Sequence, residues 1–438
     1  MNKYTSYKDS GVEWIGVIPK HWKVSKLNYI FKFNTGFTPS TSNNEFYSNG
    51  LHDWINISDL GSKYINESKT KLTDLAVAGK EIVPKGSLMY SFKLSVGKMG
   101  FTSKDVYTNE AIFSVLPHPS LNLNYYYYLL GTILKFNSNE NIYGAKILNQ
   151  QLIKNSKLTI PPSDEQIAIA NYLDKKTTEI DTLISKKELL IELLEEEKTA
   201  VVNQAVTKGI DQNVPMKDSG VEWLGEIPEH WKIKKLKFLG KVQNGVSEGG
   251  EYFGSGYPFV TYGDVYYNAT LPNIPSGLAK SDDEAKIKYS VKEGDVFFTR
   301  TSETIEEIGI ASTCLNTIEG AIFAGFLIQF RPENNLINKH FSKFYFRSFI
   351  PKTFFVKEMN LVTRASLSQG LLKRLPVLLP PYKEQKKIGK FLDIELTRRN
   401  MTISKMGKEI EFLKEYKTAL ISEVVTGKVD VRKEILVN

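Results

Sequence analysis

At 438 residues, the chain is long enough for two cored domains with connectors. Hydrophobic content of 41% and charged content of 24% are those of a water-exposed globular protein, and no apolar stretch nears the roughly 18 residues of a membrane span. A net charge of +8 permits a polyanionic partner, and a single cysteine, Cys314, excludes an intrachain disulfide or a cysteine-based metal site. A reducing cytoplasm is the expected compartment.

The N-terminal segment carries the first half of a repeat. Lys8 to Trp22 reads KDSGVEWIGVIPKHW, and Lys217 to Trp231 reads KDSGVEWLGEIPEHW, with 12 of 15 positions identical. Such self-similarity must be read before anything else, because it sets the architecture. Residues 23–160 follow, rich in Tyr, Phe, Val, Ile and Thr with Gly and Asn punctuation, a mixed but strand-biased region. Its counterpart, 232–379, barely agrees with it. The shared remnants are Gly86 and Gly294 before apolar runs, and Leu148, Gln150 and Leu152 matching Leu367, Gln369 and Leu371. The run from Ala321 to Ile328 reads as one buried strand.

Each variable region ends in a second repeat, IPPSDEQIAIANYLD from Ile160 and LPPYKEQKKIGKFLD from Leu379. The proline pairs block preceding helix, and Ser163 with Gln166 suggests a capping box. Long helices follow. One seam runs Ile184, Lys187, Ile191, Leu194, Lys198, Val201, Ala205; the other runs Ile403, Met406, Ile410, Leu413, Lys417, Leu420, Val424. This 3–4 alternation predicts a coiled coil, and about 40 residues make a rod of about 60 Å. Residues 163–211 carry 6 Lys and 11 acids, net −5, whereas 382–430 carry 11 Lys plus Arg and 8 acids, net +3. Opposite signs favour pairing of the two helices, and the repeat order requires residues 1–22 to lie beside the C-terminal helix. Lys198 and Lys417 either set the register or snorkel.

Motifs for chemistry are missing. Leu379-Pro380-Pro381-Tyr382 has the frame of an adenine methyltransferase motif but not its polar first residue, and Gly254-Ser255-Gly256 is followed by Tyr-Pro, which opens no helix. His21 and His230 read as packing residues of the entry motif. Asp282-Asp283-Glu284 and Glu303 to Glu307 read as solvated loops. The basic excess lies in the variable regions: 15 Lys against 9 acids in 23–160, net +6, and 19 Lys plus Arg against 14 acids in 232–379, net +5. Lysine contacts to phosphate position a protein on DNA, while polar side chains read base edges. Candidate readers in polar loops are Thr38, Ser40, Lys93, Ser95, Tyr143 and Lys146 in the first region. In the second they are Asn244, Ser247, Arg300, Ser302, Arg364 and Gln369.

Over its whole length the chain resembles the specificity subunits of type I restriction–modification enzymes. The resemblance is carried by SGVEWIGxIPxHW at Ser10 to Trp22 and Ser219 to Trp231, by Thr35 to Ser40, by Trp54 to Leu60, and by the doubled Pro-Pro-x-x-Glu-Gln element. Asn244 to Ser247 departs from the Thr35 to Ser40 pattern. The resemblance implies an internally duplicated α+β chain with two mixed α/β target-recognition domains joined by two long antiparallel coiled-coil helices in pseudo-two-fold symmetry. The expected division is an entry segment 1–22, recognition domains 23–160 and 232–379, a central helix with second entry motif 161–231, and a C-terminal helix 380–438. It implies a non-catalytic subunit that reads a bipartite, asymmetric double-stranded DNA site and docks two methyltransferase subunits and restriction/translocase subunits. S-adenosylmethionine, ATP and Mg would belong to those partners. The rival readings are a self-sufficient methyltransferase-nuclease and a coiled-coil protein scaffold.

Overall fold

Both entry motifs fold as short hairpins. Tyr7–Asp9 pairs antiparallel with Val17–Pro19, and Met216–Asp218 pairs with Glu226–Pro228 in the same register. The computed structural model describes residues 2–93, 95–136, 139, 140, 146–302, 304, 307–333, 335–359 and 365–434. The chain forms two compact units, one of Met1–Lys187 with Lys408–Asn438, the other of Glu188–Gly407. Each unit holds one entry motif, one variable region and a part of each long helix.

In the first unit, Phe33–Thr35, Ile112–Val115, Leu88–Ser91, Met99–Thr102 and Tyr64–Ile65 lie side by side in that order as a five-stranded sheet. A smaller sheet places His52–Ile55 between Tyr107–Thr108, which is parallel to it, and Thr70–Leu72, which is antiparallel. The second unit repeats this with different residues. Its larger sheet runs Gly240–Asn244, Leu327–Pro332, Val296–Thr299, Ala311–Thr313, and its smaller one centres Phe253–Val260 between parallel Ile322–Phe323 and antiparallel Gly277–Ala279. Leu88–Ser91 and Val296–Thr299 are buried at all four positions. Burial on both faces is why they read as unbroken apolar runs rather than as alternation. Gly86 (φ +83°) and Gly294 (φ +89°) make the left-handed turns into them. The apolar run from Ala321 is not one strand: Ile322–Phe323 and Leu327–Pro332 belong to different sheets, and Phe326 between them is exposed.

Lys23–Lys26 pairs antiparallel with Lys157–Ile160, and Lys232–Lys235 with Pro376–Leu379. These pairings close each module, so that the chain enters and leaves it at one point. The proline pairs then release the chain into helices Ser163–Lys208 and Tyr382–Val425. Ser163 is already helical, and Gln166 makes no capping box with it. Gln166 Nε2 donates instead to the Pro161 carbonyl at 3.0 Å, as Gln385 Nε2 does to Pro380 at 3.0 Å.

Every predicted seam position is buried or half-buried, while Leu183, Leu189, Leu190 and Leu193 beside the seam are exposed. In the first unit the two helix stretches run antiparallel, with Asp181 taking Lys417 Nζ at 2.6 Å and Glu409 taking Lys187 Nζ at 2.7 Å. In the second, Arg399 reaches Glu197 at 2.8 Å. Lys417 crosses to the facing helix, whereas Lys198 bonds Glu195 on its own helix at 2.7 Å.

Candidate nucleic-acid interface

A matched joint supports each module. Trp22 and Trp231 are fully buried, and their indole N–H groups donate to Glu165 at 2.8 Å and Glu384 at 3.1 Å. His21 and His230 bond the same carboxylates at 2.6 and 2.7 Å. The two repeats thus meet: the Trp of one binds the Glu of the other. In the first unit Tyr4 also donates to Glu165, at 3.1 Å, and burial followed by that negative charge raises its phenol pKa. The N-terminus lies beside the C-terminal helix, as the repeat order requires. Asn2 bridges Asp430, whose N–H donates to the Asn2 carbonyl at 2.9 Å.

On this support the candidate readers divide. Thr38 is exposed and accepts from Asn109 Nδ2 at 2.9 Å; Ser40 is exposed and bonds Ser42 at 2.9 Å. Lys93 and Ser95 are exposed in the turn after Leu88–Ser91, with Lys93 Nζ 5.7 Å from the Phe92 ring centre. Lys146 begins a two-residue strand paired with Asn139–Glu140. Tyr143 and Arg364 lie outside the described residues. Asn244 and Gln369 come together, Gln369 Nε2 donating to Asn244 Oδ1 at 3.1 Å. Ser247 is exposed. Half-buried Arg300 is pinned through its backbone, its carbonyl accepting from Leu367 N at 2.7 Å, and Ser302 pairs with Ala365 on the adjoining ladder. In the second unit, then, Arg300, Ser302, Asn244 and Gln369 gather around the segment 365–369. In the first, no bond joins the loop of Lys93 and Ser95 to that of Thr38 and Ser40 among the described residues.

The structure adds residues that were not among the candidate readers. Gln150 Nε2 donates to Thr35 Oγ1 at 3.3 Å, the first-unit equivalent of the Gln369–Asn244 bond. The signal was present, since Gln150 and Gln369 were already matched. Asn56-Ile57-Ser58-Asp59 and Thr261-Tyr262-Gly263-Asp264 form corresponding capping boxes after the central strands of the smaller sheets. Asn244 to Ser247 does the work of Thr35 to Thr38. An added Cβ at Gly36 would meet the Thr108 carbonyl at 1.8 Å, and at Gly245 the Phe323 carbonyl at 2.2 Å. Asp282 is not a plain loop acid, for it caps the short helix Asp283–Lys288.

Arg331 is taken up internally. Its guanidinium binds Asp295 through Nε at 2.7 Å and Nη2 at 2.6 Å, and Gln329 adds a bond at 2.8 Å. Burial raises the Asp295 pKa, against the pull of Arg331. No cluster of three or more His, Cys, Asp or Glu fit to hold a metal occurs among the described residues, and no helix there is long and apolar enough to cross a membrane.

The family model for the type I restriction modification DNA specificity domain matches residues 19–193 and again residues 228–411. The chain belongs to this family. The specificity subunit is 24% identical to the type I restriction enzyme MjaIX specificity subunit of Methanocaldococcus jannaschii, over 98% of each chain. It is 25% identical to the EcoKI specificity subunit of Escherichia coli over 58% of this chain and 53% of that one. Among solved structures it shares its fold with a chain from a study of type I R-M complex assembly and conformational transition, at TM-score 0.72, 13% identity and coverage of 94% and 99%. The HsdS subunit from Thermoanaerobacter tengcongensis gives 0.58 at 12% identity, covering 94% and 98%.

Proposed function

We propose that this specificity subunit reads a bipartite, asymmetric DNA sequence, one half per module, and that it carries out no chemistry itself. Its partners are double-stranded DNA, two methyltransferase subunits and restriction/translocase subunits. S-adenosylmethionine, ATP and Mg are bound by those partners rather than by this chain. The observation that carries the reading is the pair of modules with one topology and different surfaces. Matched positions hold Thr35 with Gln150 in one and Asn244 with Gln369 in the other. Side chains that differ on an invariant frame are what two different half-sites require. Each module is net basic, which suits phosphate contact.

Exchange of residues 23–160 tests this. Genome-wide adenine methylation should change at one half-site only, while insertion of a heptad near Lys187 should alter the gap or abolish binding. Change at both half-sites after a module exchange would overturn the two-reader model. Replacing Arg300 by Ala should cost about 1–3 kcal/mol of discrimination at one base, if its guanidinium reads a guanine. Unchanged methylation at every site would remove Arg300 from the set of readers.

A further inference from the structure

Each module is held to its helix at a second point besides the Trp–Glu joint. The last residue of the Ile-x-x-x-Leu-Asp element is Asp174 in one copy and Asp393 in the other. Asp174 Oδ1 accepts Lys63 Nζ at 2.5 Å and the Tyr128 hydroxyl at 2.5 Å. The Lys63 ammonium also lies 5.4 and 5.5 Å from the ring centres of Tyr127 and Tyr128. Asp393 accepts Lys343 Nζ on one oxygen and faces His340 Nδ1 at 3.2 Å with the other. The carboxylates match in the repeat, but their partners do not. Lys63 lies in the loop before Tyr64–Ile65, whereas Lys343 lies in the helix Lys339–Tyr345. Two dissimilar modules therefore bring a lysine to the same helix position from different parts of their folds.

Position gives this contact its meaning. Asp174 follows Glu165 by nine residues, as Asp393 follows Glu384, which is about 13 Å along a helix. A body attached at one point can swing; attached at two points that far apart, it has a fixed heading. The first latch also stands beside open space, a groove of about 1300 Å³ lined by Lys63, Tyr64, Asp174, Asp181 and Lys417. A second of about 530 Å³ lies beside Asp393, lined by His340, Lys386 and Lys390. Apolar packing runs up to each latch, with Leu173 fully buried beside Asp174 and Leu392 fully buried beside Asp393 in the core that holds Phe341 and Tyr345, and the half-exposed carboxylates stand where that packing meets solvent.

We propose that Asp174 and Asp393 are positioning residues, latches that fix the heading of each recognition module on its helix and thereby the gap between half-sites that the subunit accepts. The inference rests on the bipartite reading above. One base pair is about 3.4 Å along the duplex, so a module free to swing at the latch tolerates a neighbouring gap while reading the same bases.

The test uses the subunit assembled with its methyltransferase subunits and duplexes that keep both half-sites but vary the gap by one base pair. Wild type should methylate one gap length. Asp174→Asn, Lys63→Gln and Tyr128→Phe should each raise methylation of the adjacent gaps relative to the cognate one by tenfold or more, with the bases unchanged, and Asp174→Glu should restore strictness. Asp393→Asn should do the same through the second module. Should Asp174→Asn fail to assemble, Lys63→Gln and Tyr128→Phe, which leave the helix intact, decide the matter. Folded variants as strict as wild type, or equally weakened at every gap, would overturn the latch alone. A wild type that selects no gap would overturn the bipartite reading, and the latch with it.

Discussion

Replacing Glu165 by Ala removes the acceptor at the centre of the first joint. The carboxylate is 8% exposed and takes the indole N–H of Trp22 and the hydroxyl of Tyr4. Trp22 is 0% and Tyr4 5% exposed, so water reaches neither donor without disrupting the packing. A buried donor left without a partner costs about 1–3 kcal/mol, so two cost about 2–6 kcal/mol. His21 is far more exposed and adds little. The second joint provides an internal comparison. Glu384 serves buried Trp231 and exposed His230 but no counterpart of Tyr4, so Glu384→Ala should cost only about 1–3 kcal/mol. Urea unfolding of both variants, with amide exchange assigning the loss to the mutated unit, measures the difference. A Trp22→Phe background should reduce the cost of Glu165→Ala by the share that the indole supplied. Equal costs for the two substitutions, or no coupling to Trp22, would refute the account of the joint.

Gly36→Ala and Gly245→Ala should each destabilise their module by about 1–3 kcal/mol, seen as a lower urea midpoint, because the new methyl meets backbone that cannot move aside. Cys314 should resist alkylation at pH 8 until the second unit unfolds. Burial, helped by the charge of Asp295, pushes its thiol up to about 12, and only the thiolate reacts. Asp430 is held below the usual aspartate range, first by its hydrogen bond from Arg432. That contribution is present at neutral pH and disappears as pH falls below the unfolded-state value and through the lower folded one. Asp430→Asn should therefore lose stability at pH 7 and show a shallower further loss in acid, measured by thermal melts across pH 2–7.

The sequence by itself determined the duplication, the helix seam, the absence of familiar catalytic motifs and the family. These are written in identities and periods: a 12-of-15 repeat and a 3–4 spacing of apolar residues need no tertiary information. It also required the N-terminus to lie beside the C-terminal helix, and Asn2 pairs there with Asp430. That the two modules share a scaffold was legible in the duplication, but its sheet order was not, because that order is set by pairings between distant segments whose faces tolerate many sequences. Val296–Thr299 and Leu88–Ser91 occupy the same place with no residue in common. For the same reason the run from Ala321 looked like one strand, although a turn at Gly325 sends its halves into two sheets. The partners of Asp174 and Asp393 were hidden as well. Each carboxylate is fixed in the repeat, but the lysine that answers it comes from whichever loop or helix the fold of that module brings within reach, and only the folded chain decides which.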